Sequence, residues 1–257
     1  MERRFTVDGN ELAAHLARPS RPHPRAQPGV VIAHGFPAEA GGGANSTKSF
    51  PELADRIALD LGWVALAYAS RGVDESEGDF SLEGWLRDLR GAIEHLAESS
   101  RCDALWIIGF GTGGALAIAA AVDDDRIRGV AAIAAPADFE DWAANPRKLL
   151  VLAREIGIIS SDGFPESVDR WAAELRVVRA AHSAEQLDNR ELLLIHGSDD
   201  ENVPVFDARA LDDAHAGADL RIVPGGGHHL RHDPRAIAIL LGWLDRQRAT
   251  LLGRTGT

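Results

Sequence analysis

With a single cysteine, Cys102, in 257 residues, the chain can form no intrachain disulfide, so it must hold its fold by packing, and no oxidising compartment is implied. Positive charge is short as well: 27 Lys and Arg face 39 Asp and Glu, a formal net charge of −12. A field of that sign disfavours nucleic acid and anionic membrane surfaces and leaves a small neutral or apolar molecule as the expected partner. No apolar run approaches the ~20 residues of a membrane span. Met1-Glu2-Arg3-Arg4 leads into no apolar stretch, so the expectation is a cytoplasmic protein with no membrane association. Internal repeats and low-complexity tracts are missing too.

What is present is a hydrophobic content of 45%, enough for one sizeable core, and a length that suits a single domain over 1–257. Phe5 to Val7 and Leu12 to Ala17, joined by Asp8-Gly9-Asn10, read as an opening hairpin, and a proline-rich connector runs from Arg18 to Pro28. Short apolar runs then recur at Val30 to Ala33, Val64 to Tyr68, Leu105 to Ile108, Val130 to Ala134, Leu192 to Ile195 and Leu220 to Val223. Their lengths and glycine or proline borders suit strands buried on both faces. Between them Leu82, Trp85, Leu86, Leu89, Ile93 and Leu96 form one helical stripe. The alternation predicts an α/β fold, with a mostly parallel central sheet and helices on both faces. Residues 137–191 are too long for one crossover helix and break at Asn145-Pro146 and Gly163-Phe164-Pro165, which predicts a small helical cap. The tail from Thr250 is expected to fray.

The run Leu105-Trp106-Ile107-Ile108-Gly109-Phe110-Gly111-Thr112-Gly113-Gly114 reads as a buried strand, a tight turn and a helix start. That is the setting of the nucleophile elbow G-x-S-x-G, but the serine position holds Gly111. Three further motifs stand at strand ends: His34-Gly35-Phe36-Pro37, His196-Gly197-Ser198-Asp199-Asp200-Glu201-Asn202-Val203-Pro204, and Gly225-Gly226-Gly227-His228. In this order, over nearly the whole chain, the four motifs resemble the α/β-hydrolase fold of serine esterases and aminopeptidase-like enzymes. The resemblance implies Asp200 and His228 as acid and histidine, Gly111 at the nucleophile position, and the N–H groups of Phe36 and Thr112 as the oxyanion hole. The predicted cap carries Trp142 and Trp171, the candidate binding residues of a pocket between cap and sheet.

Other readings of the same residues are open at this level. Gly111 is compatible with an ordinary turn, Asp199 or Asp138 with the acid role, and His228 with a loop histidine. His228, His229, His232 and Asp233 form a metal-like cluster, but adjacent histidines in an irregular loop seldom converge, so no metal is expected. Thr112 as nucleophile would put Phe110 where the elbow needs a small residue, and Cys102 precedes its strand at the wrong end for chemistry. The glycine turn lacks the lysine of a phosphate loop and the later acid of a dinucleotide fingerprint, so no cofactor is expected.

Three functions follow: an atypical hydrolase of small ester or acyl substrates that uses His-activated water, a non-catalytic pseudo-hydrolase that binds a small apolar ligand, or a serine esterase whose serine was replaced by glycine. A monomer or homodimer suits the acidic composition.

Overall fold

The computed structural model describes residues 2–21, 27–38, 49–100, 102 and 104–254. Asp8 and Gly9 both take positive φ, 51° and 83°, the requirement of a two-residue hairpin turn. They join β1 (Glu2–Val7) to β2 (Asn10–Ala17), with Phe5 opposite Leu12. Of the connector after β2, residues 22–26 lie outside the described residues.

Six further strands follow: β3 (Pro28–Ala33), β4 (Val64–Tyr68), β5 (Ala104–Phe110), β6 (Ile127–Ile133), β7 (Glu191–Gly197) and β8 (Asp219–Val223). The eight form one sheet in the order β1-β2-β4-β3-β5-β6-β7-β8. β3 to β8 are parallel, while β2 pairs antiparallel with both β1 and β4. β3, β4 and β5 are buried along their whole lengths, which explains their unbroken apolar runs.

The helices are α1 (Phe50–Leu61), α2 (Leu82–Ser100), α3 (Thr112–Val122), α4 (Glu140–Ala144), α5 (Pro146–Glu155), α6 (Val168–Glu174), α7 (Ala180–Glu185), α8 (Val205–His215) and α9 (Pro234–Arg254). The sheet buries a core on each face. Trp85, Leu89 and Ile93 of α2 and most of α3 belong to one; Phe50 and Ile57 of α1 and Leu240 and Trp243 of α9 belong to the other. The tail expectation needs correction: α9 continues through Arg254, the Thr250 hydroxyl donates to the Arg246 carbonyl at 3.0 Å, and Leu251 packs on the α1/α9 core. An apolar residue with a core to meet prolongs the helix; only residues 255–257 lie outside the described residues.

Residues 137–191 hold α4 to α7. Leu149, Ala153 and Trp171 share a core with α2 and α3, and α7 packs on α3 and α8. Below this segment Arg71 is locked to Asp88, whose side chain is fully buried. Its Nε and Nη2 donate to Asp88 at 3.0 and 2.7 Å, and its backbone N–H donates to Asp88 at 2.8 Å. Trp85 closes the loop by donating its indole N–H to the Arg71 carbonyl at 3.0 Å. Asp88→Ala leaves the buried Arg71 guanidinium with the part-exposed Asp8 alone, 3.0 Å from Nη2, and is expected to cost about 3 kcal/mol in urea unfolding, the low end for breaking a buried pair. The double replacement Arg71→Met with Asp88→Leu is expected to cost less than that single change.

Candidate active site

Between β5 and α3 the chain reverses through Gly111, at φ 52° and ψ −123°. Its N–H donates to the Ile133 carbonyl at 2.8 Å and its carbonyl accepts from the Gly114 N–H at 2.9 Å. Glycine tolerates that positive φ, whereas any L side chain there is strained. The turn is also too tight for side chains on either flank. A Cβ on Gly109 would lie 2.2 Å from the Gly113 carbonyl oxygen, and one on Gly113 would lie 2.4 Å from that of His34.

The loop after β3 is held by His34, which is buried. Its Nε2 accepts the Ser70 N–H at 2.9 Å, so the ring proton is on Nδ1, which donates to the Gly35 carbonyl at 2.8 Å. Burial lowers its pKa to about 4, with the Gly35 contact opposing, so the ring is neutral near pH 7. Phe36 follows, edge-on to Phe80 at 5.2 Å and to Trp142 at 5.1 Å. Thr112, the first residue of α3, is one of the helix-end N–H groups without an intrahelical partner.

His228 and Asp200 come from the loops after β8 and β7. His228 donates from Nδ1 to Asp200 Oδ2 at 2.9 Å, and the other Asp200 oxygen accepts the N–H groups of Asn202 and Val203, both at 2.9 Å. His196 Nε2 donates to the Val203 carbonyl at 2.9 Å and lies 3.4 Å from Asp200 Oδ2. Burial alone would raise the Asp200 pKa. Hydrogen bonds from His196, His228 and Val203 outweigh it and hold the carboxyl well below the usual range. The free edge of His228 faces the elbow: a Cβ on Gly111 would sit 3.6 Å from His228 Nε2 and 3.6 Å from Gly35 Cα.

The remaining candidates do not join the Asp200 and His228 pair, although the His229 ring lies 5.6 Å from that of His228. Asp199 accepts the Ser198 hydroxyl at 2.5 Å, and Asp138 accepts the Glu140 N–H at 3.0 Å at the start of α4. His229 is exposed, and Asp233 pairs with Arg235 at 2.6 Å. Among the described residues no three His, Cys, Asp or Glu side chains converge as metal ligands. The Thr112 side chain is buried, and Cys102 precedes β5 at the far end of that strand. Trp142 stands against Phe36, but Trp171 is 3% exposed and donates its indole N–H to the Phe80 carbonyl at 3.0 Å, which ties α6 to the body. The groove that Trp171 lines, of about 430 Å³, is charged, with Arg71, Asp79, Arg87, Glu166, Arg170 and Glu174 in its walls, and includes neither Gly111 nor His228. Sequence reading gave no separate role to His196 or Phe80. His196 stood inside a quoted motif, while Phe80 had no signal beyond being aromatic in a polar loop.

The alpha/beta hydrolase family model matches residues 30–239. The chain belongs to the alpha/beta hydrolase family. Curated protein sequences give no match. Among solved structures the chain is similar to Est1E from Butyrivibrio proteoclasticus, at 17% identity over 98% of this chain and 99% of that one, with a TM-score of 0.71. It is similar to the Pyrococcus furiosus esterase Pf2001 at 15% identity, covering 96% and 91%, TM-score 0.70, and to the alpha/beta hydrolase GrgF from Penicillium sp. sh18 at 18%, covering 96% and 98%, TM-score 0.72. At these identities the likeness is one of fold.

The buried neutral His34 gives this hydrolase-family chain an acid sensitivity. An unfolded histidine takes up a proton near pH 6.5, whereas the folded ring resists until about 4. The stability it contributes is therefore complete above pH 6.5 and is lost as pH falls toward 4, by about 3 kcal/mol. Urea unfolding at pH 7 and pH 4.5 is expected to show a smaller acid loss in His34→Gln than in the parent.

Proposed function

We propose that this protein hydrolyses small ester or acyl substrates by direct attack of water, with His228 as general base. The observation that carries the reading is the approach of His228 Nε2 to the place where Gly111 has no side chain, 3.6 Å from an ideal Cβ. A water in that space would lie within hydrogen-bond reach of Nε2 and could pass its proton to the ring. Asp200, fixed on Nδ1, orients the imidazole and stabilises the imidazolium that forms. The N–H groups of Phe36 and Thr112 would receive the negative charge on the substrate oxygen, and Trp142 beside Phe36 would hold its apolar part.

Water replaces the acyl-enzyme, so catalysis is one displacement and modest: general-base assistance contributes ~10² to 10⁴. Short and medium acyl esters and thioesters, hydrolysed by the parent and by His228→Ala side by side, test the reading. A rate that collapses to background in the variant is expected. Equal rates in the two proteins would sink it, and no rate in either would favour the ligand-binding alternative.

Gly111→Ser supplies a second test. Its Cβ would meet no heavy atom closer than 3.6 Å apart from its chain neighbours. Its hydroxyl would come within reach of Nε2, at the cost of strain at φ 52°. Loss of a nucleophile costs roughly 10⁶ in serine proteases. Against that scale the variant is expected to gain at least ~10²-fold in ester turnover and to show a burst of released alcohol that the parent lacks.

A further inference from the structure

The groove of about 430 Å³ that Trp171 lines takes no part in the hydrolytic reading. One wall comes from Asn10, Arg71, Gly78, Asp79, Ser81 and Arg87, and the other from Phe164 through α6. Its charged lining holds three guanidinium groups and three carboxylates, so the walls as a whole are neutral. Half of these charges are already committed. Arg71 and Arg87 both donate to Asp8, at 3.0 and 2.6 Å, and Asp79 accepts the N–H groups of Ser160 and Ser161 at 2.7 and 3.1 Å.

The open charges are Glu166, Arg170 and Glu174. Glu166 is exposed and precedes α6. Arg170 and Glu174 lie one turn apart on α6, where side chains at i and i+4 share a face with ~6 Å between Cβ atoms. Opposite charges at that spacing commonly pair, but these do not. The Arg170 guanidinium is exposed and makes no ion pair or hydrogen bond among the described residues. Glu174 is half-buried and turned onto the first turn of α2, where its Oε2 accepts the Glu83 N–H at 3.2 Å. Burial pushes its pKa up, and the Glu83 N–H offsets only part of that. Arg87 acts on it from beyond ion-pair distance, being bonded to Asp8. A half-buried carboxylate that no cation covers gains from one that arrives with a ligand. Phe164, Pro165 and Trp171 give the same groove an apolar surface.

We propose that this groove binds a dipeptide with apolar side chains, its ammonium on Glu174 and its carboxylate on Arg170. A zwitterion suits walls whose charges cancel. The spacing selects the length: the two charges of a free amino acid are ~2.5 Å apart on one Cα, while the ends of an extended dipeptide are ~6–7 Å apart, close to one helical turn. The volume falls within the range of small-molecule sites, which begins at ~300 Å³. Neither Gly111 nor His228 lines the groove, so the proposal stands or falls independently of hydrolysis.

Calorimetry with leucyl-leucine, its N-acetyl derivative and its C-terminal amide tests it, because the three share one body and differ in their end charges. On the parent protein, acetylation removes the cation from a half-buried carboxylate and is expected to weaken binding about 10- to 100-fold. Amidation removes the anion from an exposed guanidinium and is expected to weaken it about 2- to 5-fold. Glu174→Gln keeps a carbonyl for the Glu83 N–H, so α6 stays docked, and it is expected to bind leucyl-leucine as weakly as the parent binds the acetylated form. Arg170→Gln is expected to bind leucyl-leucine and its amide alike, and His228→Ala to match the parent throughout. Should Glu174→Gln fail to fold, the three ligands on the parent decide the matter alone. Equal binding of the three, binding of none, or free leucine as tight as leucyl-leucine would each overturn the proposal. So would loss of binding in His228→Ala, which would move the dipeptide to the candidate active site.

Discussion

The site depends on a backbone-to-backbone contact. The loop after β3 lies directly against the turn between β5 and α3, so close that a Cβ on Gly113 would fall 2.4 Å from the His34 carbonyl oxygen and one on Gly35 would fall 3.0 Å from the Phe110 carbonyl oxygen. No side chain fits between two such segments. Their closeness puts the His34-Gly35-Phe36 loop beside Gly111, and it fixes where the start of α3 points. The buried His34, bonded to Ser70 on one edge and to Gly35 on the other, stops the loop from moving away. Behind it the Arg71 and Asp88 pair holds the segment after β4, to which His34 is tied.

Electrostatics add a second layer. Asp200 is buried, which by itself favours the neutral acid, but it is ringed by donors: His196, His228 and the backbone of Asn202 and Val203. It therefore remains a carboxylate and holds the Nδ1 edge of His228, so that Nε2 faces the turn at Gly111. Arg231 is the contrasting case, a buried charge whose neighbour is an aromatic face and which has no carboxylate partner among the described residues.

Gly111 fits this frame without strain. The positive φ that would strain a serine is relaxed in glycine, and the two neighbours that approach an ideal Cβ, Gly35 and His228, stay at ordinary contact distance. The geometry of this turn depends on the glycines that flank Gly111, where a Cβ would collide with backbone. Similarity of fold with less than a fifth of residues identical is the expected outcome when backbone packing is kept.

The chain by itself determined the strand positions, because buried parallel strands need short unbroken apolar runs, and those at 64–68 and 105–108 fall inside β4 and β5. It also placed Gly111, Asp200 and His228 at the ends of strands, since tight turns demand glycine and leave a local mark. Which acid faces the histidine was a tertiary decision. Asp199 and Asp200 are adjacent and alike in sequence, and only the approach of the β8 loop to the β7 loop separates them. The same holds for the two tryptophans of residues 137–191: Trp142 reaches Phe36 while Trp171 is drawn into the core by the Phe80 carbonyl. It holds as well for the end of α9, where Leu251 finds a core surface that no local pattern announces. Local sequence fixes backbone geometry through φ and periodicity, but direction and partner are set by distant segments, and those arrive only when the sheet is assembled.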